Sequence, residues 1–225
     1  MQKGEFVRIS YIGRVNGEIF DLTDEDVAKR EKIFNPRIKY KPVPVIVGAG
    51  FVIPGLDEEL EKMKVGEKKK VTIPAEKAFG QRKKELVKVV PESAFKKQNF
   101  KPKAGLIVDF SGTKGRIQSV SAGRVRVDFN HPLAGKDLEY EIEIKEKITD
   151  KKEQVNAVLD FFGFPIMGVS IDKNVVNIDV DTQKGFPRPE LKARVAGIIL
   201  KYVDGMKKVM FTESFVKEDS KEKLG

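Results

Sequence analysis

One imidazole stands in the whole chain, His131 in the stretch FNHPLAGKDL, and there is no cysteine. Thiolate nucleophiles, disulfides and cysteine-ligated zinc are thereby excluded. A lone histidine leaves almost no material for a Ser-His arrangement or a histidine metal centre. Acid pairs occur at Asp57–Glu58 and Asp179–Asp181, the first on a helix start and the second alternating along a strand, where carboxylates ordinarily stand in solvent. A paired-carboxylate hydrolase requires burial that these patterns do not suggest. The glycine-rich GAGFVIPG at 48–55 has neither the lysine of a P-loop nor Rossmann spacing. What remains is a set of apolar and aromatic residues at loop and strand ends: Tyr11, Phe20 followed by Asp21, Val52 and Ile53 ahead of Pro-Gly, Leu56, Phe79 and Tyr140. They can line a dry pocket, and their plainer reading is core.

The surrounding pattern indicates what must position them. EFVRISYI and RVNGEIF read as an antiparallel pair turning at Asn16-Gly17. LTDEDVAKREKIF offers Thr23 as an N-cap, with Asp26 three residues on, before a short helix. The Pro-punctuated NPRIKYKPVPVIVG suits an extended edge segment. In GFVIPGLDEELEKMKVG, Leu56, Leu60 and Met63 share one face of a short helix that should lie on a sheet. EKKKVTIP then reads as a strand and AEKAFG as a loop.

Beyond Gly80 the composition shifts. Residues 82–130 carry 12 basic and 4 acidic groups, most of the chain's net charge of +9. This segment reads as small strands only: ELVKVV, GLIVDFSG and a hairpin RIQSVSAGRVRVDF turning at Ser121 to Gly123. DLEYEIEIKEKI returns to acidic alternation and completes the first sheet. From Thr149-Asp150 the period becomes helical, with Val155, Val158, Leu159 and Phe162 on one face; a strand NVVNIDVD follows. A second helix with Leu191, Val195, Ile198, Ile199 and Tyr202 inward and a strand KKVMFTESFVK complete an α-β-α-β order. The expected class is α+β. It comprises a discontinuous domain at 1–81 and 131–148, an inserted small all-β domain at 82–130, and a C-terminal two-layer α/β domain at 149–225. Disorder is expected only in the last residues, KEDSKEKLG. No run approaches the ~18 to 20 apolar residues of a membrane span, and MQKGEFVRIS has no apolar leader core, so a cytoplasmic location is expected.

GEIFDLT, VIVGAGFVIPGLDEEL, VTIPAEKAFG and NHPLAGKDLEYEIEI occur in an order and spacing that resemble the FKBP-type peptidyl-prolyl isomerases. More narrowly, they resemble the archaeal long-type and bacterial SlyD-like branch, whose flap loop carries an inserted domain. The resemblance covers about residues 1–148. It implies an FKBP-like antiparallel sheet wrapped on a short helix, and a proline pocket walled by Tyr11, Phe20, Val52, Ile53, Leu56, Phe79, Leu133 and Tyr140. Asp21 would be its polar wall and the Ile53 N–H a donor to the substrate carbonyl. Val43 or Val45 would supply a further wall. Leu56 stands where many members carry a tryptophan floor and Phe79 replaces a tyrosine, departures that bear on macrolide affinity more than on turnover.

Rotation about an Xaa-Pro bond fits the residue inventory, because it requires no proton transfer, nucleophile, metal or cofactor. His131 is then a flap-anchoring or structural residue. Phe95 and Phe100, set among lysines in PESAFKKQNFKP, either fill the insert's own core or hold unfolded chains beside the proline pocket, as the resemblance implies. The expected partners are unfolded or nascent polypeptides containing Xaa-Pro, and a second copy docked through 149–225. Two other readings stay open: a non-catalytic holdase, and a protein associated with RNA or the ribosome through the basic insert.

Overall fold

The computed structural model describes residues 1–96, 99–110 and 112–215. Along the chain run β1 (Phe6–Val15), β2 (Glu18–Leu22), α1 (Glu25–Arg30), β3 (Val43–Ile46), α2 (Pro54–Lys62) and β4 (Lys68–Ile73). They are followed by β5 (Val87–Pro91), α3 (Glu92–Lys96), β6 (Ile107–Phe110), β7 (Thr113–Ser121), β8 (Arg124–Asp128) and β9 (Leu138–Ile148). The last third holds α4 (Lys151–Phe161), β10 (Ile166–Asp172), β11 (Val175–Val180), α5 (Pro189–Tyr202) and β12 (Lys208–Glu213). The tail KEDSKEKLG, expected to be disordered, lies outside the described residues. The chain is mixed α+β and divides into two compact units, one of Met1–Val71 with Tyr140 onward and one of Thr72–Glu139.

The first unit is built on a five-stranded sheet in the order β2-β1-β9-β4, with β3 also on β1. β1 carries two partners end to end: Phe6 to Ile9 pair with β3, and Ile12 to Val15 pair with β2. In the gap, Tyr11 N–H donates to the Thr23 hydroxyl at 2.9 Å, and Thr23 N–H donates to the Tyr11 carbonyl at 3.0 Å. A side chain thus replaces a missing ladder partner. Thr23 is buried for that reason, and the helix cap falls one residue later than expected, on Asp24, whose carboxylate accepts from Val27 N–H at 2.9 Å. The hairpin turns where expected, with Asn16 and Gly17 both at positive φ, the geometry of a type I′ turn. Alternation directs Val7, Ile9, Ile142 and Ile144 to the interior, where α2 buries Leu56, Leu60 and Met63 as its spacing requires.

Residues 149–215 belong to the same unit. Val155, Val158 and Leu159 of α4 and Val195 and Ile199 of α5 pack on Val176, Ile178 and Val180, in one core with Phe6, Ile46 and Ile148. Asp150 caps α4 by accepting from Glu153 N–H at 2.9 Å. The α-β-α-β expectation needs correction, since β10 precedes β11 and pairs with it through a turn at Lys173, φ 54°. β12 then joins β11 in parallel. Gly163, Pro165 and Gly168 interrupt the period in front of and within β10, and a register shift between Ile166 and Gly168 accommodates them.

The second unit contains a four-stranded antiparallel sheet in the order β5-β8-β7-β6. Its core is Phe95, Val108, Ile117, Val125 and Val127, with Phe100, Phe110 and Phe129 packed against it. Strands alone were expected here, yet PESAFKKQNFKP contributes the short helix α3. Its Phe95 is 3% exposed, with the Phe110 ring edge-on at 5.3 Å, so Phe95 does not stand free among the lysines. The two chain passes flanking the sheet are laced together. Asn130 Nδ2 donates to the Lys83 carbonyl at 2.9 Å and Lys83 N–H donates to Asn130 Oδ1 at 2.8 Å. Arg82 pairs with the buried Asp128, which also accepts from Asn130 N–H at 2.9 Å.

Candidate active site

Three rings gather on the inner face of the five-stranded sheet. Tyr140 of β9 has Tyr11 of β1 and Phe20 of β2 each at 5.9 Å between centroids, both edge-on, the arrangement aromatic quadrupoles favour. Gly13 makes room for them. A Cβ there would lie 2.8 Å from Phe20 Cζ and 3.1 Å from Tyr140 Cε1, so the absent side chain is what lets Phe20 fold over the strand. Tyr140 is buried, while Tyr11 and Phe20 are half-buried and therefore open to a ligand. The exposed Asp21, opposite Gly13 in the ladder, accepts the Tyr11 hydroxyl at 2.8 Å.

Leu56, Val52 and Ile53 come from α2 and the loop before it. Leu56 is 2% exposed. Val52 and Ile53 are half-buried, and the Ile53 N–H donates to no acceptor among the described residues. Val43 and Val45 of β3 stand opposite Ile9 and Val7 and share their face; Val45 is core and Val43 is half-buried. Phe79 and Leu133 belong to the second unit, where Phe79 stacks on His131 at 4.1 Å and 7°. His131 Nδ1 accepts from Leu133 N–H at 3.2 Å, which ties the imidazole to its own turn.

Two features that hold the loop before α2 escape a reading of the sequence. The first is Asp57, 8% exposed, whose carboxylate accepts Gly48 N–H at 2.7 Å and Gly50 N–H at 3.1 Å. Both glycines adopt positive φ, 71° and 72°, so their amides can converge on one carboxylate. An acid in the first turn of a helix ordinarily signals a solvated dipole partner. Here it fastens the loop that ends in Val52 and Ile53. The second is Phe51, whose ring lies 4.4 Å from that of Phe161 and 6.0 Å from that of Phe162. Arg194 of α5 caps Phe162 at 4.9 Å, so the C-terminal elements hold the residue that precedes Val52.

The outer face of the same sheet is of another kind. An open cleft of about 390 Å³ there is lined by Ser10, Tyr11, Ile12, Lys68, Lys70 and Glu141 among others, so Tyr11 borders it as well. Its charges are mutually neutralised: Glu141 by Arg14 at 2.5 Å and Lys70 at 3.3 Å, Glu143 by Lys68 at 3.5 Å and Lys145 at 2.8 Å.

Burial, reinforced by the neighbouring Asp21 carboxylate, keeps the Tyr11 phenol protonated and pushes Tyr140 up to about 12. An unfolded tyrosine titrates near 10, so between these values the folded chain retains protons that the unfolded chain has lost. Stability is therefore expected to be unaffected by these groups below about pH 10 and to fall as pH rises beyond it. Comparing urea midpoints at about pH 9 and about pH 11 for the native chain and for Tyr140→Phe checks this; the variant should lose less on going alkaline.

The chain is 40% identical over 146 residues to a short-type peptidyl-prolyl cis-trans isomerase of Methanocaldococcus jannaschii, spanning 65% of this chain and 93% of the relative. It is 37% identical over 108 residues to a probable FKBP-type 16 kDa peptidyl-prolyl cis-trans isomerase of Pseudomonas fluorescens, 46% of this chain and 71% of the relative. The chain belongs to the FKBP-type peptidyl-prolyl cis-trans isomerases. The isomerase is also 31% identical over 129 residues to the FKBP-type isomerase SlyD of Aeromonas hydrophila, 56% of this chain and 59% of that protein. A second family, described as FKBP26, IF domain, matches residues 88–133 of the isomerase. Among its described residues no helix is long and apolar enough to cross a membrane.

Proposed function

We propose that the isomerase rotates Xaa-Pro bonds of unfolded polypeptides in the cup of Tyr11, Phe20, Val52, Ile53, Leu56 and Tyr140, without a covalent intermediate. The ring cluster over Gly13 carries this reading. The barrier to rotation, about 20 kcal/mol, is lost amide resonance. A planar amide is more charge-separated than a twisted one, so a wall of rings disfavours the ground state relative to the transition state. A thousandfold to millionfold acceleration requires about 4 to 8 kcal/mol. Differential solvation and a hydrogen bond from the Ile53 N–H to the substrate carbonyl are the sources this reading assigns. Asp21 orients the Tyr11 hydroxyl at the rim.

The reading extends to chaperone activity in the second unit. Its edge strands β5 and β6 expose Val89 at 61% and Ile107 at 69%, and an edge strand with an apolar side chain suits an extended client chain. Holding a client there raises its local concentration at the cup. Val89→Ser with Ile107→Ser should leave acceleration of a short Xaa-Pro peptide intact and slow the catalysed refolding of a proline-limited protein severalfold. Equal refolding rates would remove the chaperone part of the reading.

We also propose a homodimer through residues 149–225. Met167, Phe186 and Phe215 are 75%, 61% and 76% exposed, and the Phe186 and Phe215 rings stack at 5.9 Å. Light scattering at micromolar concentration should give twice the chain mass, and a monomer mass overturns this.

A further inference from the structure

The sheet of the second unit has two unlike faces. One covers the small core. On the other, register places Arg126 between Val89 and Ser119, and Arg124 between Pro91 and Ser121. Arg116 stands between Asp128 and Ile107. Cross-strand partners share a face, so three arginines, two serines and the aliphatic Val89 and Ile107 form one exposed surface. No ion-pair partner is present for Arg116, Arg124 or Arg126 among the described residues. The acids on this face are Asp109, opposite Lys114, and Asp128, which is occupied by Arg82, Asn130 and Gln118. The contrast with the first unit's outer sheet face is sharp, since Arg8, Arg14, Lys68 and Lys70 there each meet a glutamate.

We propose that this face binds the phosphate backbone of nucleic acid without reading its bases. Arginines present forked donors that suit phosphate oxygens, and Ser119 and Ser121 add hydroxyl donors beside them. β8 and β7 are the two central strands, so their backbone groups are engaged on both sides and only side chains remain to bind a partner. An extended acidic peptide would instead be expected to add to an edge strand through its backbone. A phosphate backbone carries its charge outermost and needs no such ladder. Among the described residues the face carries no aromatic ring on which bases could stack, which directs the contact to the backbone and predicts indifference to sequence.

The test uses the full chain, with fluorescence anisotropy of a labelled oligothymidylate and an unrelated RNA of equal length as the probes, titrated at several salt concentrations. Both should bind with similar affinity that weakens steeply with salt. Arg124→Glu with Arg126→Glu should reduce affinity at least about tenfold and flatten the log-log salt slope by about 1.4, roughly 0.7 for each phosphate no longer neutralised. Arg124→Ser with Arg126→Ser should flatten the slope equally with a smaller drop in affinity. A charge-matched control, Lys152→Glu with Lys207→Glu, should approach native binding. Absent binding, or unchanged affinity in the arginine variants, overturns the proposal. Equal affinity for a polyglutamate peptide of the same length also overturns it, in favour of an acidic-protein partner.

Discussion

Asp57→Ala is expected to lower stability by about 3 kcal/mol and to reduce kcat/KM on a short Xaa-Pro peptide by at least tenfold. The stability part follows from the loss of two charge-assisted hydrogen bonds, from the N–H groups of the exposed Gly48 and Gly50 to the buried Asp57 carboxylate. A hydrogen bond to a charged group is worth about 1.5 to 3 kcal/mol, less where water can replace the acceptor. The activity part follows from geometry: the loop held by these bonds runs directly into Val52 and Ile53, whose amide is assigned to the substrate carbonyl. Released, that amide samples many positions, and a misplacement of about 1 Å can cost about a hundredfold in rate. Asp57→Asn should fall between, because an amide keeps one acceptor while turning a donor toward the second N–H. Urea unfolding and peptide kinetics on the same preparations separate the effects. Native kinetics with lowered stability would mean that the loop needs no fastening.

Phe51→Ala is the second large effect expected, about 2 to 3 kcal/mol in stability. The ring is held by Phe161, the last residue of α4, and by Phe162 just after it, so the loss concerns the packing of the C-terminal elements against the loop before α2. A double-mutant cycle with Phe161→Ala should give a coupling of about 1 kcal/mol, in the range of aromatic pairs. Additive effects would show that the rings merely fill space. Because Phe51 adjoins Val52, activity should fall as well, and Phe161→Ala should produce part of that fall from a residue outside the cup. On this account residues 149–215 do more than append a surface: they brace the loop before α2.

Local signals in the sequence are legible where one residue type has one physical use. Asn16-Gly17 turns a hairpin because both positions take positive φ, and Leu56, Leu60 and Met63 mark a buried face because a 3.6-residue period repeats there. The residues proposed for the cup in the first unit, Tyr11, Phe20, Leu56 and Tyr140, are assigned through family resemblance, since their spacing alone is equally that of core. Other features depend on partners distant in sequence. Thr23 looks like a cap, but the interruption between β3 and β2 along β1 engages it elsewhere. β10 is hidden because Gly163, Pro165 and Gly168 resemble loop punctuation when the pairing strand is unknown. Asp57 looks solvated because nothing in its neighbours reveals that two glycine amides converge on it. Phe95 reads equally as a client contact until α3 turns it into the core.

On the proposed mechanism the ring cup rotates the Xaa-Pro bond without proton transfer to or from any side chain. The most direct test is cis/trans exchange of a short Xaa-Pro peptide followed by NMR with the native chain, Phe20→Ala, Tyr140→Ala and His131→Ala. Clear acceleration by the native chain is expected, with loss of at least about a hundredfold, or ~2.7 kcal/mol, in each cup variant, and near-native exchange with His131→Ala. Native exchange in the cup variants, or loss confined to His131→Ala, would contradict it.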